Sequence, residues 1–302
     1  MNIRQFLSGI FLLAWMLTCM AQPVRVLGVA QDGGFPHIGC QAKCQEIYLN
    51  PEMKRFVVSL AVIDETNQQW YLFEATPDFK EQLQYFQELT KGQYPYLPAG
   101  IFLTHAHMGH YTGLMHLGRE ALGAKGVKVY TLPGFKSYLE TNGPWSQLVK
   151  LDNIELVSLY LENRVQLGTL TVQPFEVPHR DEYAETAGYS FEIRQKKYLF
   201  IPDIDKWSKW DRSIIEEVQK VDFAFLDASF YEDGELPNRS MEEVPHPFVT
   251  ETIALFEKEP DAVKNKVYFI HMNHTNPLLW DHEVKEAVRR LGFEIAEQGT
   301  GY

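Results

Sequence analysis

Apolar and polar residues fall into short runs along this chain, separated by segments rich in turn-forming residues. Runs rich in β-branched and aromatic residues predict strands at 24–30, 56–63, 70–73, 101–104, 127–131, 170–177, 189–193, 197–201, 223–226 and 267–270. Apolar residues at helical spacing predict helices at 79–89, 112–122, 135–141, 210–220, 248–257 and 282–291. This order predicts two β-rich layers with helices outside them, packed as one domain over residues 22–302.

The N-terminal segment differs from the rest of the chain. Arg4 precedes an apolar stretch at 6–20, which is shorter than the roughly 20 residues that span a bilayer. This pattern is typical of a signal peptide, here residues 1–21. We therefore expect an exported protein, periplasmic or secreted, with a mature N-terminus near Gln22. An uncleaved anchor, a buried first helix and a lipoprotein attached through Cys19 stay open as alternatives.

Composition and charge narrow the classes of partner. The chain is 45% hydrophobic and 13% aromatic, which is enough to bury a large core. Its formal net charge is −12, and no run of Lys or Arg interrupts that balance. Because nucleic-acid binding relies on clustered cations, we expect a small-molecule substrate and no nucleic acid. Membrane attachment is expected only if Cys19 carries a lipid.

The mature chain would keep two thiols, Cys40 and Cys44, out of three in the full sequence. In an oxidising compartment such a pair forms a disulfide or holds a metal. A buried pair of free thiols is the third interpretation. The spacing of four residues fits all three.

Three histidines lie within six residues, directly after the apolar run 101–103 and before a predicted helix. They are His105, His107 and His110. Neutral imidazole is the commonest side-chain ligand of zinc and also suits iron. His105 and His107 are two residues apart, so an extended strand end directs both to one side. His110 follows a turn and approaches the same cavity, and the cluster therefore predicts a metal site.

Further ligand-type residues follow other predicted strands. His179, Asp203 and His271 each come after an apolar run, at a point where a rigid strand fixes the direction of the side chain. In chain order the whole set is His-x-His-x-x-His, then His, Asp and His.

This ordered set resembles the metallo-β-lactamase superfamily. The resemblance implies an α/β fold of αββα type, a four-layer β-sandwich with outer helices and two metals at its edge. The cofactor expected from it is zinc, as one or two ions, with iron or manganese as alternatives. The resemblance implies two ligand sets with a shared carboxylate: His105, His107 and His179 on one metal, His110 and His271 on the other, and Asp203 bridging.

One position departs from the superfamily, which usually has Asp where this chain has Gly109. Because glycine has no side chain to offer, we expect a weaker second metal site. We also expect Gly109→Asp to raise its affinity, provided that the backbone does not require a positive φ. His274 is the first candidate to replace the lost ligand.

Other segments resemble the pyrroloquinoline-quinone biosynthesis protein B family of the same superfamily. They are 33–36 with the two following cysteines, 75–78, 226–231 and 271–277. That likeness implies an oxidative role in maturing a tyrosine-derived cofactor. Members of that family typically lack the first two histidines of the triplet and are not exported, so we interpret this chain as a relative with a different function.

The residues favour metal-assisted hydrolysis of a small-molecule ester, amide, lactam or phosphodiester. Asp203 would orient the water, and His110 and His271 would stabilise the developing negative charge. Two alternatives remain: an iron-dependent oxygenase on the same ligands, and a metal- or ligand-binding protein without turnover.

Two further sets have weaker patterns. Residues that could orient the ligands from outside are Asp78, Asp227 and His246. Aromatic residues that either line a substrate pocket or only pack in the core are Trp145, Tyr183, Trp207, Trp210 and Tyr231.

Overall fold

The structure is a computed structural model that describes residues 22–41, 44–236, 240–241 and 244–302. The expected signal peptide and Cys19 lie outside the described residues. Within the described ranges, no helix combines the length and apolar character that a bilayer span requires.

Six strands form the first sheet and pair in chain order. They are β1 (Val24–Gly28), β2 (Ser59–Asp64), β3 (Gln69–Phe73), β4 (Gly100–Phe102), β5 (Val127–Thr131) and β6 (Ile154–Ser158). The pairs β1–β2 and β2–β3 are antiparallel, and the pairs from β3 to β6 are parallel. All six residues of β2 are buried because both faces of this sheet are covered.

Seven strands form the second sheet, in the order β13-β12-β11-β10-β9-β8-β7. They are β7 (Val165–Leu167), β8 (Leu170–Glu176), β9 (Ala187–Ile193), β10 (Lys196–Ile201), β11 (Phe223–Asp227), β12 (Val267–Ile270) and β13 (Glu294–Ile295). The pairs from β7 to β10 are antiparallel, and those from β10 to β13 are parallel. Strands β8, β10, β11 and β12 therefore run in one direction and end at the same edge.

Helices cover the outer faces of both sheets. The α-helices are α1 (Gln45–Leu49), α2 (Phe79–Thr90), α3 (Met108–Tyr111), α4 (Pro133–Thr141), α5 (Trp145–Lys150), α6 (Ile214–Gln219), α7 (Val249–Leu255), α8 (Asp261–Lys264) and α9 (His282–Arg290). Short 3₁₀ turns span Pro51–Met53, Thr112–Leu117, Trp207–Lys209 and Pro277–Leu279. Helix α2 buries Phe79, Leu83 and Phe86, whose spacing places them on one face.

Aromatic side chains fill the space between the two sheets. Phe73 from the first sheet lies 4.9 Å from Phe191 and 5.9 Å from Phe200 of the second sheet, measured between ring centroids. A separate apolar cluster lies on the other face of the first sheet, where Trp70 stacks on Phe86 of α2 at 3.9 Å. The layers are thus helix, sheet, sheet and helix, as the αββα expectation requires.

Each strand predicted from the sequence overlaps a strand of the structure, but β6, β7 and β13 were not predicted. The helix predicted at 112–122 is wrong. The α-helix at this point is the four-residue α3, and a 3₁₀ turn follows it. His110 O accepts a hydrogen bond from Ala75 N at 2.9 Å, and Gly113 N donates to Ala75 O at 2.8 Å. These backbone groups pair with another loop and are unavailable to a regular helix.

Candidate metal centre

The structure brings all six predicted ligands to one edge of the sandwich. His179, Asp203 and His271 follow the parallel strands β8, β10 and β12, and His105 follows β4 of the other sheet. Residues beyond the carboxyl ends of strands that run in one direction meet at a shared edge. The remaining imidazoles come from helix α3, with His107 at its N-cap and His110 within it, although the sequence predicted a helix only from residue 112.

The first group of converging atoms contains Nε2 of His105, Nδ1 of His107, Nε2 of His179 and a carboxylate oxygen of Asp203. Nδ1 of His107 lies 2.9 Å from His105 Nε2 and 3.1 Å from His179 Nε2. Asp203 Oδ2 lies 3.2 Å and 3.3 Å from the same two Nε2 atoms. Four zinc ligands at about 2.0–2.1 Å in a tetrahedron lie roughly 3.3 Å apart. The first group therefore fits a tetrahedral metal ion.

The outward-facing nitrogen of each of these three imidazoles also has a polar neighbour. The contacts are Thr104 Oγ1 to His105 Nδ1 at 2.9 Å, Glu182 Oε2 to His107 Nε2 at 2.7 Å, and Asp205 Oδ1 to His179 Nδ1 at 3.7 Å. The first two contacts are within hydrogen-bond distance, and such partners fix the ring orientation of metal-binding histidines and raise their basicity.

Burial and charge act on the protonation of this group. Burial alone would raise the pKa of Asp203, but the imidazoles of His179 and His246 outweigh it and hold that pKa well below its usual value. Burial lowers the pKa of His105 well below its usual value and leaves a lone pair available. Burial opposes protonation of His179, yet Asp203 and Asp205 raise its pKa to about 10. A metal bound by His179 would therefore have to displace a proton from it at neutral pH.

A second group lies beside the first and contains a residue that the sequence did not point to, Asp32. Asp32 Oδ1 lies 3.3 Å from His110 Nε2 and 3.7 Å from His271 Nε2. Asp203 Oδ2 lies 3.8 Å from His110 Nε2, so it faces both groups. The three atoms of His110, His271 and Asp32 are buried and make no hydrogen bond to any described residue. Since buried polar atoms are almost always paired, this group fits a second cation.

Two backbone distortions accompany the second group. His271 has φ +64°, and Glu74, next to His110, has φ +73°. Non-glycine residues rarely adopt this left-handed region, and it recurs at functional sites. Glu74 Oε2 lies 3.5 Å from His110 Nδ1, and Ser229 Oγ lies 2.9 Å from His271 Nδ1.

Asp227 and His246 form a third cluster with Asp203 and His271. The Asp227 carboxylate is already surrounded by hydrogen-bonding groups. Its oxygens accept from Ser229 N and Ser229 Oγ, both at 2.8 Å, and from Ile204 N at 3.1 Å, and they lie 2.8 Å from His246 Nδ1. These contacts use its four lone-pair sites. Asp227 therefore anchors the loops and does not offer a free ligand.

Two other candidates lie elsewhere. Asp78 accepts a hydrogen bond from Val57 N at 2.9 Å and pairs with Lys54 at 3.6 Å, so it orients none of the predicted ligands. His274 stacks on His37 at 4.2 Å, and it belongs to none of the three groups found among the described residues.

The remaining sequence candidates are separated in the structure. Four of the five aromatic candidates fall into two regions with no ring contact between them: Trp145 and Tyr183 each contact Tyr138, whereas Trp210 contacts Phe175 and Trp207. Tyr231, the fifth, packs against the main core. Cys40 and Cys44 are joined as a disulfide, which was one of the alternatives for this pair.

A family model described as Beta-lactamase superfamily domain matches residues 69–272, and the chain belongs to this family. Coenzyme PQQ synthesis protein B of Gluconobacter oxydans (strain 621H) is 27% identical over 306 residues, with 92% of this chain and 97% of that protein covered. The expected relationships to the metallo-β-lactamase superfamily and to coenzyme PQQ synthesis protein B are confirmed.

Solved structures share the fold. Zn(2+)-bound PqqB from Methylobacterium extorquens has a TM-score of 0.75 at 21% identity, covering 92% of this chain and 98% of that one. A diphosphatase from the PhnP family has a TM-score of 0.62 at 23% identity, covering 92% and 94%. The predicted αββα metallo-β-lactamase fold is therefore confirmed.

Proposed function

We propose that this protein is an exported metal-dependent hydrolase that acts on a small-molecule ester, amide, lactam or phosphodiester. The observation that carries the proposal is the first group of ligand atoms. Nitrogens of His105, His107 and His179 and an oxygen of Asp203 converge with separations of 2.9–3.3 Å. Zinc is the expected ion, with iron or manganese as alternatives.

An ion held there supplies Lewis acidity and makes water nucleophilic near neutral pH. Asp203 is held ionised, and its Oδ1 lies 3.3 Å from His246 Nδ1, so its carboxylate would orient a water at such an ion. His110 lies beside Asp203, and His271 lies beside Asp32, so both imidazoles are placed to stabilise charge on the reacting group. In hydrolysis, water adds to the carbonyl carbon or phosphorus, and its proton leaves with the departing group.

A cavity beside the second group supports a small-molecule substrate. It has a volume of about 380 Å³, and its lining includes Asp32, Phe35, Tyr48, Lys54 and Pro77. Pockets for small ligands begin at roughly this size. Because Asp32 contributes to both the cavity and the second group, a molecule bound in the cavity would lie next to the ligand atoms.

Export is supported by two separate features. The N-terminal pattern is typical of a signal peptide, and Cys40 and Cys44 form a disulfide, a bond that persists mainly in oxidising compartments.

Metal analysis combined with a substrate panel tests the proposal. Aerobically purified mature protein should contain near-stoichiometric zinc and cleave at least one member of an ester, amide, lactam and phosphodiester panel. His179→Ala should lose both the metal and the activity, whereas the exposed-site control His282→Ala should keep them. Bound iron with oxygen consumption would favour the oxygenase instead. Metal binding without turnover of any panel member would favour a binding protein.

A further inference from the structure

Gly109 lies against Asp32 so closely that no side chain fits at position 109. A Cβ atom built on Gly109 would lie 2.0 Å from Asp32 Oδ1, 2.7 Å from its Cγ and 2.8 Å from its Cα. Gly109 belongs to helix α3 and does not have a positive φ. The position therefore excludes a side chain because of space and not because of backbone conformation.

Backbone pairing holds Asp32 in this place. Gln31 N donates to Met272 O at 2.9 Å, and Met272 N donates to Val29 O at 2.8 Å. Asn273 Nδ2 donates to the side-chain oxygen of Gln31 at 2.6 Å. The loop that carries Asp32 is thus tied to Asn273 and to Met272, which directly follows His271. Asp32 is a fixed neighbour of His271.

We propose that Asp32 is the carboxylate ligand of a second metal, held with His110 and His271, and that it replaces the Asp that the superfamily usually carries at the position of Gly109. Gly109 supplies the space that Asp32 occupies. The second site then has two imidazoles, its own carboxylate and a share of Asp203. This inference rests on the proposed function in assuming that the first group is occupied by metal.

Zinc binding to the metal-stripped mature protein tests the assignment directly. Calorimetric titration and elemental analysis should find two ions per wild-type chain. Asp32→Ala should keep the first binding event and weaken the second by more than roughly 100-fold, because loss of an outer partner alone costs 10–100-fold. Asp211→Ala, which removes an exposed carboxylate, is the matched control and should bind two ions like wild type.

Gly109→Ala tests whether second-metal binding depends on the position of Asp32 and not only on its negative charge. The variant removes no ligand, yet its methyl group needs the volume of Asp32 Oδ1, so it should also weaken the second event. In an Asp32→Ala background the same change should have little further effect, because the two positions act through one contact. Gly143→Ala is the control, since a Cβ there meets nothing within 4 Å. For the same reason Gly109→Asp alone should weaken second-metal binding and not improve it.

Circular dichroism and thermal unfolding of the metal-free variants verify that each is folded. Two ions bound by Asp32→Ala with wild-type affinity would overturn the assignment, as would loss of both ions from the folded variant. An unchanged second event in Gly109→Ala would overturn the proposed role of Gly109. Wild type that binds one ion and still hydrolyses substrate would refute this inference and leave the proposed function standing. Binding of two ions that depends on Asp32, without turnover of any panel member, would support this inference and count against the proposed hydrolase function.

Discussion

Oε2 of Glu74 lies 3.5 Å from Nδ1 of His110, and both side chains are fully buried. Glu74 directly follows β3 in left-handed conformation, with its backbone N–H donated to Phe102 O at 2.9 Å. Burial opposes protonation of His110, but the carboxylates of Glu74 and Asp32 outweigh it and raise its pKa well above the usual value. Since Glu74 lies on the Nδ1 side of the His110 ring and Nε2 faces Asp32, we infer that the charge of Glu74 positions this ring.

We predict that Glu74→Gln weakens second-metal binding by about 10–100-fold, the range typical of lost outer partners. The amide keeps the shape of the side chain but removes the charge that orients the imidazole. Zinc titration of metal-stripped protein measures the effect, with Glu81→Gln on the partly exposed side of α2 as the control. Equal weakening of both binding events would contradict a role confined to His110.

The sequence could predict six candidate ligands because each of them lies in a recognisable local pattern. His105 and His107 adjoin an apolar run, and Asp203 and His271 each follow a strand. Asp32 has no such pattern, since it lies in a glycine-containing loop. Its position depends on hydrogen bonds between residues 29–31 and 272–273, which are far apart in the sequence. Only tertiary structure shows that contact.

The fold was predicted best where burial imposes a pattern. Strand β2 is buried throughout, and its apolar run is visible in the sequence. Strand β7 at the edge of the second sheet has no fully buried residue, and β13 has two residues in all. Edge strands of this kind carry little hydrophobic signal, because one face or one side contacts solvent. The alternation that identifies a strand is correspondingly weak there.

We predict that His105→Ala, His107→Ala and His179→Ala each lower metal content markedly while the fold is retained. Each change removes one converging nitrogen, and the aromatic core between the sheets does not contain these residues. Elemental analysis gives the metal content, and circular dichroism checks the fold. Unchanged stoichiometry in all three variants would eliminate the first group as a metal site.

Asp227→Asn should destabilise the protein by about 1–3 kcal/mol, since a buried acceptor becomes an amide that faces donors. The carboxylate now accepts from Ile204 N and from two groups of Ser229, and it lies next to His246. Urea unfolding of metal-free protein measures the loss. Asp222→Asn, at a more exposed carboxylate, should cost less. Equal costs for the two variants would argue against the anchoring role.

Export predicts a processed N-terminus. Mass spectrometry of protein from its own host should find a chain that begins near Gln22, or a lipidated Cys19 if the lipoprotein alternative holds. The same sample should show Cys40 and Cys44 as a disulfide, resistant to alkylation until a reductant is added. Intact Met1 in a cytosolic fraction would refute export.

Asp64 links the end of β2 to the turn between β7 and β8, and it makes stability depend on pH. Its carboxylate accepts from Thr169 N at 2.8 Å, from Asn67 N at 3.1 Å and from Asn67 Nδ2 at 2.7 Å. Burial raises the pKa of Asp64, but these hydrogen bonds outweigh it, so the pKa lies below its usual value. A depressed carboxyl pKa stabilises the folded state above the unfolded pKa of about 3.9 and loses that contribution as pH falls through the folded value.

We therefore predict that Asp64→Asn lowers the free energy of unfolding by about 1–2 kcal/mol at pH 7. The difference from wild type should shrink as pH falls below about 4, because protonation of Asp64 then removes the stabilisation that its carboxylate gives the folded state. Urea unfolding of the two proteins at neutral and acidic pH measures this, with Asp211→Asn as an exposed control. A difference that stays constant with pH would show that packing, and not the charged hydrogen bonds, accounts for the loss.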